Sequence, residues 1–203
     1  KRFTIRDFAK ASIVDLIIQQ LRHSHPDLVP GDSGTVDAVR QATVPLAYKK
    51  DLLKTVWDVA GAGTVLTIGQ GIGKVSYDPV WQAALRSVSP GVLMDKWTRF
   101  EIFAHSQNRV RFDNQEQDKV TCERYTVEGG KPGTAENFLI CGLLIALLEN
   151  IGCQHLRCDM PLNKHQPDGT EGSTHCLYKN RQFNIPEDLS RLNSLQWQFQ
   201  WQD

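Results

Sequence analysis

The sequence predicts an α+β fold, in which N-terminal helices are followed by antiparallel strands packed around a central apolar helix. Apolar residues recur at helical spacing in the earlier part of the chain, and they alternate with polar residues from Arg109 onward. Between the alternating stretches, residues 135–151 are apolar on nearly every side, which is typical of a buried helix. Helices first and antiparallel strands afterwards is the order of an α+β domain.

The first predicted helix begins at Thr4, which can act as an N-cap with Asp7 three residues later. It ends before Pro26, and the prolines, glycines and aspartates of residues 26–34 predict a loop. We expect residues 1–203 to form a single domain, with residues 1–33 either as part of it or as an N-terminal helical extension. The apolar positions of this helix are Ile5, Phe8, Ile13, Leu16, Ile17 and Leu21.

A second helix is predicted over residues 46–59, with Gly61 placed for its C-cap. Residues 60–73 are then expected to form a glycine-rich connection. Two later helices are predicted to begin at Asp78 and Ser89, because each of these capping residues directly precedes a proline.

An antiparallel hairpin is predicted where Val110 and Phe112 alternate with charged residues and Val120 and Cys122 follow in the next run. After a glycine-rich break, Thr134 is expected to cap the central helix. Further strands are predicted near residues 155–159, 174–178 and 195–201.

Composition excludes several classes of protein. The chain has 203 residues, with 23 basic and 23 acidic side chains, so it lacks the positive surplus that non-specific nucleic-acid binding needs. Five cysteines are an odd number, which favours reduced thiols and a cytoplasmic protein. The longest apolar run, residues 138–148, is too short to cross a bilayer. The chain opens on Lys1 without a signal segment, so we expect a fragment of a longer protein.

The glycines of residues 69–74 invite a phosphate-loop interpretation, because closely spaced glycines let backbone amides approach an anion. Val75 follows Lys74 where the Walker pattern requires serine or threonine, and the spacing also differs from the Rossmann fingerprint. A structural turn is therefore the favoured prediction.

Cysteines and histidines near the C-terminus could supply zinc ligands from two strands. Their spacing matches no compact zinc finger, so we expect buried reduced cysteines beside surface histidines and predict no metal or cofactor. The residues concerned are Cys153, His155, Cys158, His175 and Cys176.

Aromatic and basic residues between the Ser89 helix and the hairpin form the candidate ligand-binding site. Trp97, Phe100 and Phe103 share helical spacing and would form an apolar wall, while His105 and Arg109 would supply polar contacts. The alternative interpretation is that the aromatic residues belong to the core and the basic residues are solvated.

The segments KWTRFE at residues 96–101 and AHSQNRV at 104–110 also carry a family resemblance, together with AENFLICGLLIALL at 135–148 and IGC at 151–153. They resemble the N-terminal sensor region of certain AraC-type transcriptional regulators, in which a tryptophan-bearing helix runs into a His-Ser-basic stretch at a strand start. The resemblance covers residues 46–203.

This resemblance implies the effector-sensing domain of a transcription factor, which binds a small molecule and signals to a DNA-binding domain. No paired helix-turn-helix module is present in the sequence, and the resemblance would place one after Asp203. The Gly142-Leu143-Leu144 run and the His175-Cys176 pair also resemble haem-nitric-oxide-binding-associated and 4-vinyl-reductase-like domains, which are binding folds.

The expected partners are a small-molecule effector, DNA through the module outside this chain, and a second copy of the chain in a homodimer, with no membrane contact. No catalytic constellation is visible, which predicts that the protein is not an enzyme. Two alternatives stay open. One is a metal- or thiol-dependent enzyme using Cys153, Cys158 and Cys176, and the other is a pure dimerisation module with residues 4–21 as its interaction face.

Overall fold

A computed structural model describes residues 8–31, 43–75, 108–116, 118–126, 133–163 and 173–202. Its α-helices are α1 (Ala11–Ser24), α2 (Leu46–Val75) and α3 (Thr134–Asn150). The strands are β1 (Phe8–Lys10), β2 (Thr43–Pro45), β3 (Asn108–Glu116), β4 (Lys119–Thr126), β5 (Gln154–Pro161), β6 (Thr174–Lys179), β7 (Gln182–Phe183) and β8 (Gln196–Gln202). Short 3-10 helices span Pro26–Leu28 and Leu189–Arg191.

Antiparallel pairing builds one six-stranded sheet in the order β3-β4-β8-β5-β6-β7, and β1 pairs with β2 separately. The predicted hairpin is confirmed, because β3 and β4 pair with Val110 opposite Arg124 and Phe112 opposite Cys122. The predicted α+β class is therefore confirmed.

Helix α3 lies at the centre of the domain, as predicted. Every residue from Glu136 to Leu148 is buried, since α2 covers one side of the helix and the sheet covers another. Its N-cap is Gly133 rather than the predicted Thr134, a difference of one residue. Three alternate residues of β8 form much of the sheet surface that is buried in the same core: Trp197, Phe199 and Trp201.

The predicted helix end at Gly61 is confirmed, because Gly61 (φ 80°, ψ 175°) divides α2 into two helical segments at a kink. The glycine-rich connection predicted for residues 60–73 is wrong, because the second segment is helical from there to Val75. The other glycines serve close helix packing. A Cβ on Gly69 would lie 2.1 Å from the carbonyl oxygen of Leu139 in α3. These backbone amides are committed to a helix, so the segment is neither a phosphate loop nor the predicted turn.

Helix α1 is shorter than predicted. It begins at Ala11 after the strand β1, whereas the sequence pattern placed its start at Thr4, which lies outside the described residues. Its end at Ser24 agrees with the prediction. The apolar side of α1 is buried inside the chain against α2, so this side is not an exposed dimerisation face.

In the part of the chain that the structure describes, no helix is both long enough and apolar enough to cross a membrane. The helices predicted to begin at Asp78 and Ser89 lie outside the described residues.

Candidate functional site

A cleft of about 800 Å³ opens where the C-terminal turns of α2 and α3 meet the start of β5 and the turn between β6 and β7. This volume falls in the range of about 300–1,000 Å³ that is typical of small-molecule sites. The lining residues are Gln70, Lys74, Glu149, Asn150, Gly152, Cys153, Gln154, His155, Leu156, Tyr178, Asn180 and Arg181.

The segment of α2 after Gly61 and the helix α3 bring their C-terminal ends to this cleft because they run in the same direction. Leu66 contacts Gly142, and one turn of helix or more further on Gly73 contacts Ala146. Close to the N-terminal ends, Lys49 of α2 pairs with Glu136 of α3. The cleft and this ion pair therefore lie at opposite ends of α3, roughly 20 Å apart along the helix at about 1.5 Å per residue.

A hydrogen-bonded pair forms the floor of the cleft. The hydroxyl of Tyr178 on β6 donates to the carboxylate Oε1 of Glu149 in the last turn of α3. Burial raises the pKa of Tyr178, and the hydrogen bond to Glu149 raises it further. The phenol therefore remains a protonated donor at neutral pH, and Gln70 of α2 also hydrogen-bonds to it. The bond ties the sheet to the helix pair.

The backbone around the cleft adopts uncommon conformations. Among the described residues, the non-glycine residues with positive φ are His155 (50°), Asn180 (52°) and Arg181 (63°), and all three line the cleft. Asn180 and Arg181 form the two-residue turn between β6 and β7, where positive φ matches the twist of a hairpin.

The positive φ of His155 has a different cause. Gln154 pairs with Gln202 and Arg157 with Gln200, so two residues of β5 oppose one of β8 in a bulge. Such a bulge redirects the side chain it carries, and left-handed backbone at a non-glycine residue costs about 1–3 kcal/mol. Conformations of this kind cluster at functional sites, which favours the cleft as the site of this domain.

The charges around the cleft are mainly positive at its rim. The cations Lys74 and Arg181 are exposed there, and the acidic lining residue, Glu149, is bonded to Tyr178. Lys74 in the last turn of α2 also complements the negative end of that helix dipole. The arrangement can hold a polar molecule through the Tyr178 hydroxyl, two basic side chains and the Asn150 amide.

The predicted ligand-binding residues are not part of this cleft as described. Trp97, Phe100, Phe103 and His105 lie outside the described residues. Arg109 lies on β3, where it pairs with Tyr125 at one edge of the sheet. Four strand spacings separate β3 from β6, which is roughly 19 Å at about 4.8 Å per spacing. The cleft is thus a second candidate site, which the sequence analysis did not find.

The cysteines do not converge with the histidines. Cys122, Cys141 and Cys158 are buried in the core, where the Sγ atoms of Cys141 and Cys158 are 3.8 Å apart and burial raises the pKa of Cys122 and Cys158. His175 pairs with Met160, five residues along β5 from His155, or roughly 15 Å. Within the described ranges, no group of three or more His, Cys, Asp or Glu side chains is arranged to hold a metal ion. The geometry therefore gives no support to the zinc alternative.

A buried polar cluster lies at the N-terminal ends of α2 and α3. The ammonium of Lys49 donates to Glu136 Oε1, and Arg124 Nη2 lies 3.1 Å from Glu136 Oε2. Arg124 Nη1 donates to Asn137 Oδ1 at 2.7 Å, and Asn137 Nδ2 donates to Ser194 Oγ at 3.1 Å. Burial alone would raise the pKa of Glu136, but the charges of Lys49 and Arg124 lower it to about 2.

The similarity of this chain to known proteins is a similarity of fold. No family model matches the sequence, and no curated protein matches it. Among solved structures, a point mutant of the Fe(II) unliganded H-NOX protein from K. algicida is 12% identical, with a TM-score of 0.57 over 96% of this chain and 97% of that chain. The H-NOX protein without the mutation is 13% identical, with a TM-score of 0.53 over 87% and 100%.

This likeness shows an H-NOX-like fold. At such low identity it establishes the fold and no more. The Fe(II) state belongs to those H-NOX proteins. In this chain the imidazole among the described cleft residues is that of His155, which is exposed at the rim, and the described residues do not assemble a metal centre around it.

Proposed function

We propose that this chain is the effector-sensing domain of a regulatory protein and that its effector is a small polar molecule bound in the cleft. The observation that carries the proposal is the cleft itself, because Tyr178, Glu149 and Gln70 converge there within a volume suited to a small molecule. The H-NOX-like fold supports a sensing role, since both similar structures are of H-NOX proteins in an unliganded state, so those proteins take a ligand.

The route of signalling follows from the helix pair. A molecule that competes for the Tyr178 hydroxyl would weaken its bond to Glu149 and so change how β6 is held against α3. Because the segment of α2 after Gly61 packs against α3 through glycines without intervening side chains, a shift at the C-terminal ends is transmitted along α3 and along that segment. Signalling then requires that the effector bind two arrangements of this pair with different affinity.

We further propose that the regulatory protein is an AraC-type transcription factor of the cytoplasm, with its DNA-binding module in a segment outside this chain. The support is the resemblance of the KWTRFE and AHSQNRV segments, together with five cysteines that are all free. The balanced charge of 23 basic and 23 acidic residues fits a domain that leaves DNA contact to another module.

Effector binding should depend on the Tyr178 hydroxyl. A thermal-shift screen with sugars, amino acids and small organic acids identifies a ligand, and calorimetry then compares Tyr178→Phe with the unaltered chain. The substitution keeps the ring and removes the donor, so we expect binding to weaken roughly ten- to a hundredfold, the loss of one hydrogen bond of about 1.5–3 kcal/mol.

The matched control is Lys54→Ala, on the exposed side of α2 and away from the cleft, which should leave affinity unchanged. A ligand bound equally well by the unaltered chain and by both Tyr178→Phe and Arg181→Ala would show that the cleft is not the effector site.

The isolated chain should not bind DNA at physiological salt, because it has no net positive charge with which to displace counterions. A mobility-shift assay with random-sequence duplex DNA measures this directly. Tight binding that weakens steeply as salt is raised would contradict the proposed division of labour between this domain and a separate DNA-binding module.

A further inference from the structure

We propose that the buried polar cluster at the N-terminal ends of α2 and α3 is a binding site for a carboxylate group. This site is separate from the cleft and independent of the proposed function. Its central residue is Arg124, whose side chain is fully buried and whose guanidinium has hydrogen-bond partners for only some of its N–H groups.

The unsatisfied part of Arg124 is one particular edge. Nη1 is bonded to Asn137, while Nε and Nη2 find no hydrogen-bond acceptor among the described residues. Nη2 forms an ion pair with Oε2 of Glu136 at 3.1 Å, but this contact does not have the geometry of a hydrogen bond. The N–H groups of Nε and Nη2 lie on the same edge of the guanidinium and are parallel. This is the edge that donates two hydrogen bonds to the two oxygens of a carboxylate.

A second unsatisfied donor lies on the same buried face of the sheet as Arg124. Trp197 is fully buried, and its indole Nε1 likewise has no acceptor in the described part of the chain. In the register of β4 and β8, Trp197 pairs with Cys122, and the amide of Arg124 bonds to Leu195. Trp197 and Arg124 are therefore diagonal neighbours on the buried face of the sheet, roughly 7–8 Å apart at the backbone.

Buried donors without acceptors are rare, since each costs about 1–3 kcal/mol, and a bound group is one ordinary explanation. Unsatisfied donors on two neighbouring residues of the sheet, Arg124 and Trp197, favour an acceptor with more than one oxygen. The cluster is also too positive. Lys49 and Arg124 share the single carboxylate of Glu136, so these three described side chains carry one positive charge in excess.

The start of α3 also lies at this cluster. Gly133 provides no side-chain cap, and the acidic residue of the first turn is Glu136, which the cluster already contains. Glu136 repels an incoming anion, but the adjacent ammonium of Lys49 offsets that repulsion. A single carboxylate would accept from Arg124 and Trp197 and would offset the excess positive charge of the described cluster.

The test is a titration of the isotope-labelled chain with sodium acetate, followed by the amide, indole and arginine Nε signals in proton–nitrogen NMR spectra. Trp197→Phe identifies the Trp197 indole signal. We expect the Trp197 indole and Arg124 Nε signals to move saturably with acetate and to stay in place with sodium chloride of equal ionic strength. Sulfate, which is tetrahedral, should saturate the same signals only at higher concentration.

Variants separate recognition from general electrostatics. Arg124→Lys keeps the positive charge and removes the fork, so acetate affinity should fall at least tenfold, while Trp197→Phe, which removes one donor and keeps an aromatic ring, should weaken acetate binding several-fold. Spectra of both variants report whether they fold. If Arg124→Lys does not fold, Trp197→Phe alone provides the test.

Arg181→Ala in the cleft should leave the acetate response unchanged, so failure of the carboxylate site and failure of the cleft proposal are distinguishable. No saturable movement with acetate, an equal response to chloride, or tighter binding of sulfate would each overturn the carboxylate site.

Discussion

Replacing Glu136 with glutamine should lower the free energy of unfolding by about 3–5 kcal/mol, because the change leaves two buried cations without their shared anion. Lys49 and Arg124 both contact this carboxylate, and their side chains are 10% and 0% exposed. Neither can regain water without opening the core. For a chain of this size the loss corresponds to a fall in melting temperature of roughly 6–20 °C.

The pH dependence of stability checks the same assignment. The folded-state pKa of Glu136 is about 2 against an ordinary value of 4.5, so its contribution is fully present above about pH 4.5 and is lost as the pH falls toward 2. Denaturant melts of the unaltered chain over that window should show this loss. Glu136→Gln should show a shallower decline there, since its side chain does not titrate.

Two further variants make the result specific. Asp58→Asn breaks the exposed ion pair with Lys54, whose partners are 52% and 73% exposed, and should change stability by less than about 0.5 kcal/mol. Adding Lys49→Met to Glu136→Gln removes one stranded charge and should restore part of the lost stability. A Glu136→Gln chain as stable as the unaltered one would mean that water reaches this cluster.

The central helix α3 was predictable because its environment is uniform. A segment covered by a second helix on one side and a sheet on another has no polar side, and residues 135–151 show that pattern without knowledge of any partner. The hairpin of β3 and β4 was predictable for a similar reason, since alternation depends only on the two faces of a sheet.

The glycine segment of α2 could not be predicted in the same way. Glycine disfavours an isolated helix, so Gly69, Gly71 and Gly73 read locally as a turn. What reverses this preference is close contact with α3 about 70 residues later, where the backbone of Leu139 and Leu143 leaves no room for a Cβ on Gly69 or Gly73. Tertiary packing, which local patterns do not contain, decides the structure here.

The cleft could not be predicted from the sequence, because its residues are distant in sequence and form no recognisable motif. Gln70, Glu149 and Tyr178 come from two helices and a strand, and only the parallel direction of the helices brings them together. The buried cluster left a weak signal in advance, since Arg124 continues the inward alternation of Val120 and Cys122. A charged residue at an inward position indicates a buried ion pair or a ligand, although its partners cannot be named from the sequence.

Replacing Gly142 with alanine should destabilise the fold by about 3 kcal/mol, although the same change in an exposed helix is favourable. Alanine exceeds glycine in helix propensity by about 1 kcal/mol, so that term alone predicts a gain. A Cβ at Gly142, however, would lie 2.1 Å from the carbonyl oxygen of Leu66 and 2.9 Å from its carbonyl carbon. Because the obstacle is backbone, α2 and α3 must move apart.

Moving α2 and α3 apart destabilises the fold by more than the higher helix propensity of alanine stabilises it. Overpacking in a rigid core costs about 1–3 kcal/mol and occasionally more, and here it also loosens the contacts of Gly69 and Gly73 along the same interface. Gly63→Ala is the matched control, because it lies in α2, has no positive φ, and would place its Cβ no closer than 3.9 Å to a side-chain atom of Ile185. Denaturant melts should show Gly63→Ala equal to the unaltered chain or up to about 1 kcal/mol more stable, and Gly142→Ala clearly less stable. If both variants gained stability alike, α2 and α3 would not be in the close contact on which the proposed signalling along the helix pair depends.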